Sequence, residues 1–195
     1  SEDRFLVYFL GLDISTACIG WCVLGSKGHL TGMGYIPLSK LVGPFQKAQR
    51  ASDELAMLHL RYDIGKIFIE ENLQAIRPGL SSAKTLLTLA RFNGIVSYLT
   101  YQQFDFEPEY VNVNAARKVV GLKIIRKNKG GAPTKEQVLD WVSGEVGDND
   151  NQYQWATKIL KSGPRKNQEI LEPGCYDAAD AYVIARAGFL MKHDS

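Results

Sequence analysis

At 195 residues, with 45% hydrophobic and 23% charged side chains, the chain has ordinary globular composition and the length of one domain, residues 1–195. A net charge of +2 is too small to mark a nucleic-acid-binding protein by bulk charge, and the longest apolar run, Phe5 to Leu12, falls far short of the ~20 residues of a membrane span. Cys18, Cys22 and Cys175 are odd in number and match no zinc or disulfide spacing, so they read as small buried hydrophobes in a reducing compartment.

In chain order, Phe5 to Ile14 reads as a strand buried on both faces. Ile19 to Leu24 and Leu30 to Ile36 read as two more, joined by a turn at Ser26-Lys27-Gly28. Phe45 to Tyr62 has helical apolar spacing, Lys66 to Glu71 ("KIFIEE") is a short buried strand, and Ser82 to Gln103 is a long helix. Tyr110 to Val113 is another strand, followed by a short helix, Ala115 to Val120. Thr134 to Val146 opens with Thr134 and Gln137 at capping-box spacing, and Cys175 to Met191 is an alanine-rich last helix. Antiparallel strands followed by strands alternating with helices make a mixed sheet with helices on its faces.

Charge is segregated along the chain. Lys123, Arg126, Lys127, Lys129 and Lys135 lie in a stretch without acids, as do Lys158, Lys161, Arg165 and Lys166, and an acidic segment from Glu136 to Asp150 separates them. Such segments suit a polyanion better than an even sprinkle of charge does, although basic glycine-containing stretches are most often solvated loops.

Acids also stand at apolar positions. Asp13 interrupts "LVYFLGLDISTACIGWCVL", where a carboxylate is costly to desolvate unless it is a turn residue or something pairs with it. Glu70-Glu71 ends "KIFI", and strand alternation turns only one of the two toward Asp13. Asp177 and Asp180, in "CYDAADAY", share one helix face beside alanines small enough to approach a sheet. Their plain reading is neutralisation of the free N–H groups at a helix start. Four carboxylates from two strand ends and a helix would form an anionic pocket suited to hard divalent cations. Two such ions about 4 Å apart support phosphodiester hydrolysis. His29, His59 and His193 show no partner pattern and read as surface residues, which leaves little for a zinc site or a Ser-His-Asp triad.

The order of these motifs resembles the ribonuclease-H-like nucleases, and within them the RuvC-type Holliday junction resolvases. "GLDISTACIGWCVL" is similar to their opening strand and "IFIEENL" to their strand ending in glutamate. "GGAPTKEQV" resembles their glycine-rich turn, and "YDAADAYVIA" their closing motif. The resemblance spans most of the chain and implies a mixed five-stranded sheet, three antiparallel strands then parallel ones, flanked by helices. It implies a magnesium-dependent, manganese-tolerant endonuclease of DNA recombination and repair that makes paired cuts in four-way junctions and leaves 5′-phosphate ends. Asp13, Glu70, Asp177 and Asp180 become the ligands of two Mg2+ ions, Glu70 because it directly follows "IFI", and Lys135 falls on a lysine near the scissile phosphate. The DNA-binding residues become Leu73, Arg77, Lys84, Lys123, Arg126, Lys127, Lys129, Arg165 and Lys166. The expected setting is intracellular, a bacterial or phage-infected cytoplasm rather than an organelle. Two departures stand out: Leu73 replaces an aromatic wedge, and the segment from Asn149 to Gly174 is longer than in bacterial resolvases.

Three other readings compete: a nuclease of the same fold acting on forks or flaps, a sugar-kinase-like ATP-binding domain, and a DNA-binding protein with a dead site. "GLDIST" also fits a kinase opening, but Gly130-Gly131 has no aspartate beside it to form the second phosphate loop, and the chain is about half a two-lobed kinase. A dead site does not account for four retained acids. Apolar residues spread around the whole Ser82–Gln103 helix, so it is expected to be covered on more than one side. The second cover is either the domain's own loops or the partner in a homodimer. A two-fold dimer would present one site to each of two strands of a four-way junction.

Overall fold

The computed structural model describes residues 6–71, 82–147 and 153–193. Three strands, β1 (Tyr8–Ile14), β2 (Cys18–Leu24) and β3 (Leu30–Pro37), form an antiparallel meander. The β2–β3 turn closes through Gly25 and His29, with Gly28 at φ 84°, a left-handed conformation that glycine takes without strain. β4 (Ile64–Glu70) and β5 (Glu109–Val111) add in parallel, giving the order β3-β2-β1-β4-β5. This is the mixed five-stranded sheet expected from the sequence.

Strand alternation divides β1 and β4 between two cores. Leu10, Leu12, Ile14, Ile67 and Ile69 pack beneath α1 (Gly43–Arg61) and α2 (Ala83–Phe104). Phe9 and Phe68 face α3 (Val113–Val120), α4 (Thr134–Val146) and α5 (Gly174–His193) on the other side. The α5 helix is apolar nearly all round because the sheet covers one side of it while α3 and α4 flank it. It lies so close to the sheet that a Cβ on Gly11 would fall 2.5 Å from the carbonyl oxygen of Ala181, and one on Gly20 would strike the Asp177 carbonyl. Glycine on the sheet and alanine on the helix make that approach sterically possible.

The expected elements are present with ends shifted by a few residues, and two readings need correction. Thr134 and Gln137 form no capping box: Pro133 holds the cap position without a side-chain hydrogen bond. Gln137 instead braces the loop before the helix, accepting from the Ile125 N–H at 2.9 Å and donating to the carbonyls of Ile125 and Ala132. Lys127–Lys129 forms a single 3-10 turn. The segment from 153 to 174, read without strands, contains a hairpin, β6 (Thr157–Ile159) and β7 (Glu169–Leu171), outside the main sheet. Its strands are three residues long with little apolar alternation, which hid them from periodicity.

Within the single chain, α2 is buried along one stripe, from Phe92 and Asn93 to Thr100 and Phe104. Leu87, Tyr98 and Tyr101 on its remaining surface are 64%, 61% and 43% exposed. The three cysteines are buried and unpaired, and His29 and His59 are exposed. No helix among the described residues is long and apolar enough to cross a membrane.

Candidate active site

Leu12 of β1 pairs with Ile69 of β4 in parallel register, so Asp13 and Glu70 follow one step later at the same edge of the sheet. Alternation turns both toward α5, away from the core beneath α1 and α2. Glu71 lies beyond the strand end, exposed, with its N–H donating to the Val111 carbonyl. The close seat of α5 on Gly11 and Gly20 brings Asp177 and Asp180 to the same edge. Behind Glu70, the buried Asn93 of α2 donates to its carbonyl at 3.4 Å, and the Ser97 hydroxyl donates to Asn93. The sheet thus brings together all four acids singled out in the sequence.

Their electrostatics are those of crowded like charges. Burial, then the Glu70 carboxylate, pushes Asp13 well above the usual carboxylate range, and Asp13 hydrogen-bonds to both Glu70 and Asp180. Asp180 is pushed up to about 7 by burial and the charge of Glu70, opposed by the Arg117 guanidinium. Burial raises Asp177 too, while a hydrogen bond from the Cys18 thiol and the charge of Lys135 draw it back. The same contact and burial push the Cys18 thiol far up, so Cys18 stays a protonated donor.

Among the described residues no three acidic, histidine or cysteine groups form a ready-made cation cage. The donor set nevertheless fits a hard divalent ion: four carboxylates with their charge only partly opposed, three of them, Asp13, Glu70 and Asp180, joined through a proton held on Asp13. A cation bound there would displace that proton.

Two contributors escaped the sequence reading. Cys18, read as a core hydrophobe, holds Asp177, and nothing in its apolar surroundings signals this. Arg117, on α3, acts on Asp180 with its Nε buried and unpartnered, and only the folded contact identifies it. It also lines a groove of about 820 Å³ with Lys118, Lys123 and Arg126, and no acid lies on that lining. Lys135, exposed in the first turn of α4, has its Nζ 4.8 Å from the centre of the Tyr176 ring. Lys84, Lys127, Lys129, Arg165 and Lys166 are exposed and do not line this groove, whereas Leu73 and Arg77 fall outside the described residues.

No family model matches the chain. It is 27% identical over 132 residues to the crossover junction endodeoxyribonuclease RuvC of Aliarcobacter butzleri, spanning 66% of this chain and 77% of that protein. The structure of Thermus thermophilus RuvC in complex with Holliday junction substrate superposes over 96% of both chains, with a TM-score of 0.60 at 12% identity. The chain has a RuvC-like fold. A second Thermus thermophilus RuvC structure covers 96% of this chain and 97% of its own at TM-score 0.58 and 15% identity. The yeast mitochondrial Holliday junction resolvase Ydc2 covers 98% of this chain and 84% of its own at TM-score 0.54 and 16% identity. The RuvC resemblance read from the motifs therefore holds in sequence and in fold.

Proposed function

We propose that the chain is a structure-selective endonuclease that resolves four-way DNA junctions by metal-assisted hydrolysis of paired phosphodiesters, leaving 5′-phosphate ends. The observation that carries this reading is the convergence of Asp13, Glu70, Asp177 and Asp180 at one edge of a RuvC-like sheet. Its likeness to proteins named for crossover junctions and Holliday junctions supports the choice of substrate.

The four carboxylates would hold two magnesium or manganese ions. When bound, such ions supply an activated water and neutralise charge on the leaving oxygen. The chain's own groups prepare the site. Cys18 holds Asp177 as an oriented acceptor, Asn93 fixes the Glu70 backbone, and Arg117 favours the charged form of Asp180. Lys135, whose charge reaches Asp177, is the group for the phosphate being cut. Paired cutting requires two sites, and we assign the second to a homodimer partner covering the exposed Leu87, Tyr98 and Tyr101 of α2.

A cleavage assay on a mobile four-way junction, a fork and a linear duplex, with magnesium and with EDTA, tests the reading. Paired cuts in the junction alone, abolished by EDTA, are the expected result. Preference for the fork would move the substrate to other branched DNA, and no cleavage of any DNA would refute the nuclease.

A further inference from the structure

The β6–β7 hairpin contributes little to either core. All of Thr157–Ile159 is exposed, Ile159 by 63%, and residues 161–168 of the connecting turn are exposed as well, with Leu160 half-buried. Short two-stranded hairpins are marginal alone, and this one is anchored firmly at its base. The Glu172 N–H donates to the Ala156 carbonyl at 2.9 Å, the Thr157 hydroxyl bonds Glu169 at 2.6 Å, and Leu171 packs on the core beside α5. Nearby, Tyr153 donates to the Met33 carbonyl and Trp155 to Ser143. An ordered, firmly seated projection that buries so little points to a partner rather than to stability.

That projection forms one wall of a cleft of about 940 Å³. Lys158 and Lys161 line it from the hairpin, and Lys40, after β3, and Arg50, on α1 and paired with Glu54, line it as well. Cys18 and Asp177 of the acid cluster line it too, as does Glu172. Tyr35, Leu41 and Ile159 add apolar surface. Cations alternating with apolar patches are the lining a nucleic-acid strand requires, since phosphates take the charges while sugars and bases take the carbon surface. Arg117, which lines the other groove, acts by its charge on Asp180, so each depression has a lining residue tied to a different member of the cluster.

Resting on the nuclease reading, we propose that the hairpin is a strand clamp: Lys158, Lys161 and Lys40 hold the phosphates of the cleaved strand on the Asp177 side of the scissile bond. The groove of Lys118, Lys123 and Arg126 takes the strand on the other side. The substrate then crosses the acids from one basic depression to the other, with a direction fixed by the fold.

The test measures junction binding in calcium for the full chain, the Lys158→Ala/Lys161→Ala variant and the Lys123→Ala/Arg126→Ala variant. Junctions carrying one uncharged methylphosphonate at successive positions on either side of the cut serve as probes. The exposed side chains leave the melting temperature as a control for folding. Each double variant is expected to lower the slope of log affinity against log salt by roughly two. A methylphosphonate on one side of the cut should weaken the unaltered chain but add nothing to the hairpin variant, and the opposite side should behave so for the other variant. A hairpin variant with unchanged slope and an unchanged methylphosphonate profile overturns the clamp while leaving the nuclease intact. Failure of the unaltered chain to bind any branched DNA overturns both.

Discussion

Asp13 sits where three other carboxylates bear on one proton, so its chemistry cannot be separated from theirs. Asp13→Asn, Glu70→Gln, Asp177→Asn and Asp180→Asn should each lower junction cleavage by more than roughly 100-fold, with binding in calcium nearly intact, because even outer partners of a metal ligand matter 10- to 100-fold. Glu71→Gln, beyond the strand end, should stay near the unaltered rate; gel assays of binding and cutting check both. A linked prediction concerns pH. In the unfolded chain Asp180 loses its proton near 4, whereas in the folded, metal-free protein it keeps it to about 7. The folded state therefore binds more protons between those values, and stability falls as pH rises through that window. At pH 8 without metal, Asp180→Asn should raise the melting temperature by roughly 2–8 °C. Magnesium should raise that of the unaltered chain and release protons measurable by calorimetry in two buffers. No change in either melting temperature would mean that burial and the neighbouring carboxylates do not oppose the charged form of Asp180 as the fold implies.

At the scale of elements, the seat of α5 governs the site. Gly20→Ala would drive a Cβ into the Asp177 carbonyl, so the helix must shift, at a cost of about 1–3 kcal/mol by the usual penalty for overpacking. Cleavage should fall with it, since Asp177 moves. Gly144→Ala, in α4 with nothing near the added carbon, should be neutral or stabilising by roughly 0.5–1 kcal/mol. Urea melts of the two variants separate a packing requirement from mere helix propensity. The sequence disclosed this seat only in part: the alanines around Asp177 and Asp180 indicated a helix that approaches a sheet closely, but not that Gly11 and Gly20 receive it. Alternation was enough to choose Glu70 over Glu71 once a family pattern suggested the phase, and the register of Leu12 with Ile69 agrees. What stayed hidden has a common physical cause. The hairpin strands are too short for a period, Gln137 bonds a loop twelve residues back, and Arg117 meets Asp180 from another element, so each depends on contacts remote in sequence.

At the scale of the whole molecule, α2 supports the acid cluster through Asn93 behind Glu70 and leaves Leu87, Tyr98 and Tyr101 uncovered. Exposed Leu87 and Tyr98 are apolar surface that a monomer gains nothing by presenting, and such surface on a helix is the usual currency of self-association. A two-fold axis through α2 would relate two acid clusters, and the approximate two-fold symmetry of a four-way junction would let each cluster meet one strand. On the proposed function, binding and chemistry would belong to each chain, whereas the pairing of the two cuts would belong to the dimer. Leu87→Glu combined with Tyr98→Glu places four like charges at such an axis and removes its apolar area. The protein should then pass from dimer to monomer by light scattering while staying folded, its melting temperature losing only what association contributes, because both side chains are exposed in the single chain. On a supercoiled cruciform plasmid the unaltered chain should yield linear product directly, from two cuts within one bound complex. The monomeric variant should yield nicked circles, with linear product appearing only after a second, independent encounter. Linear product formed as fast by a protein that scatters as a monomer would place the second cut outside any α2 dimer and end this account of paired resolution.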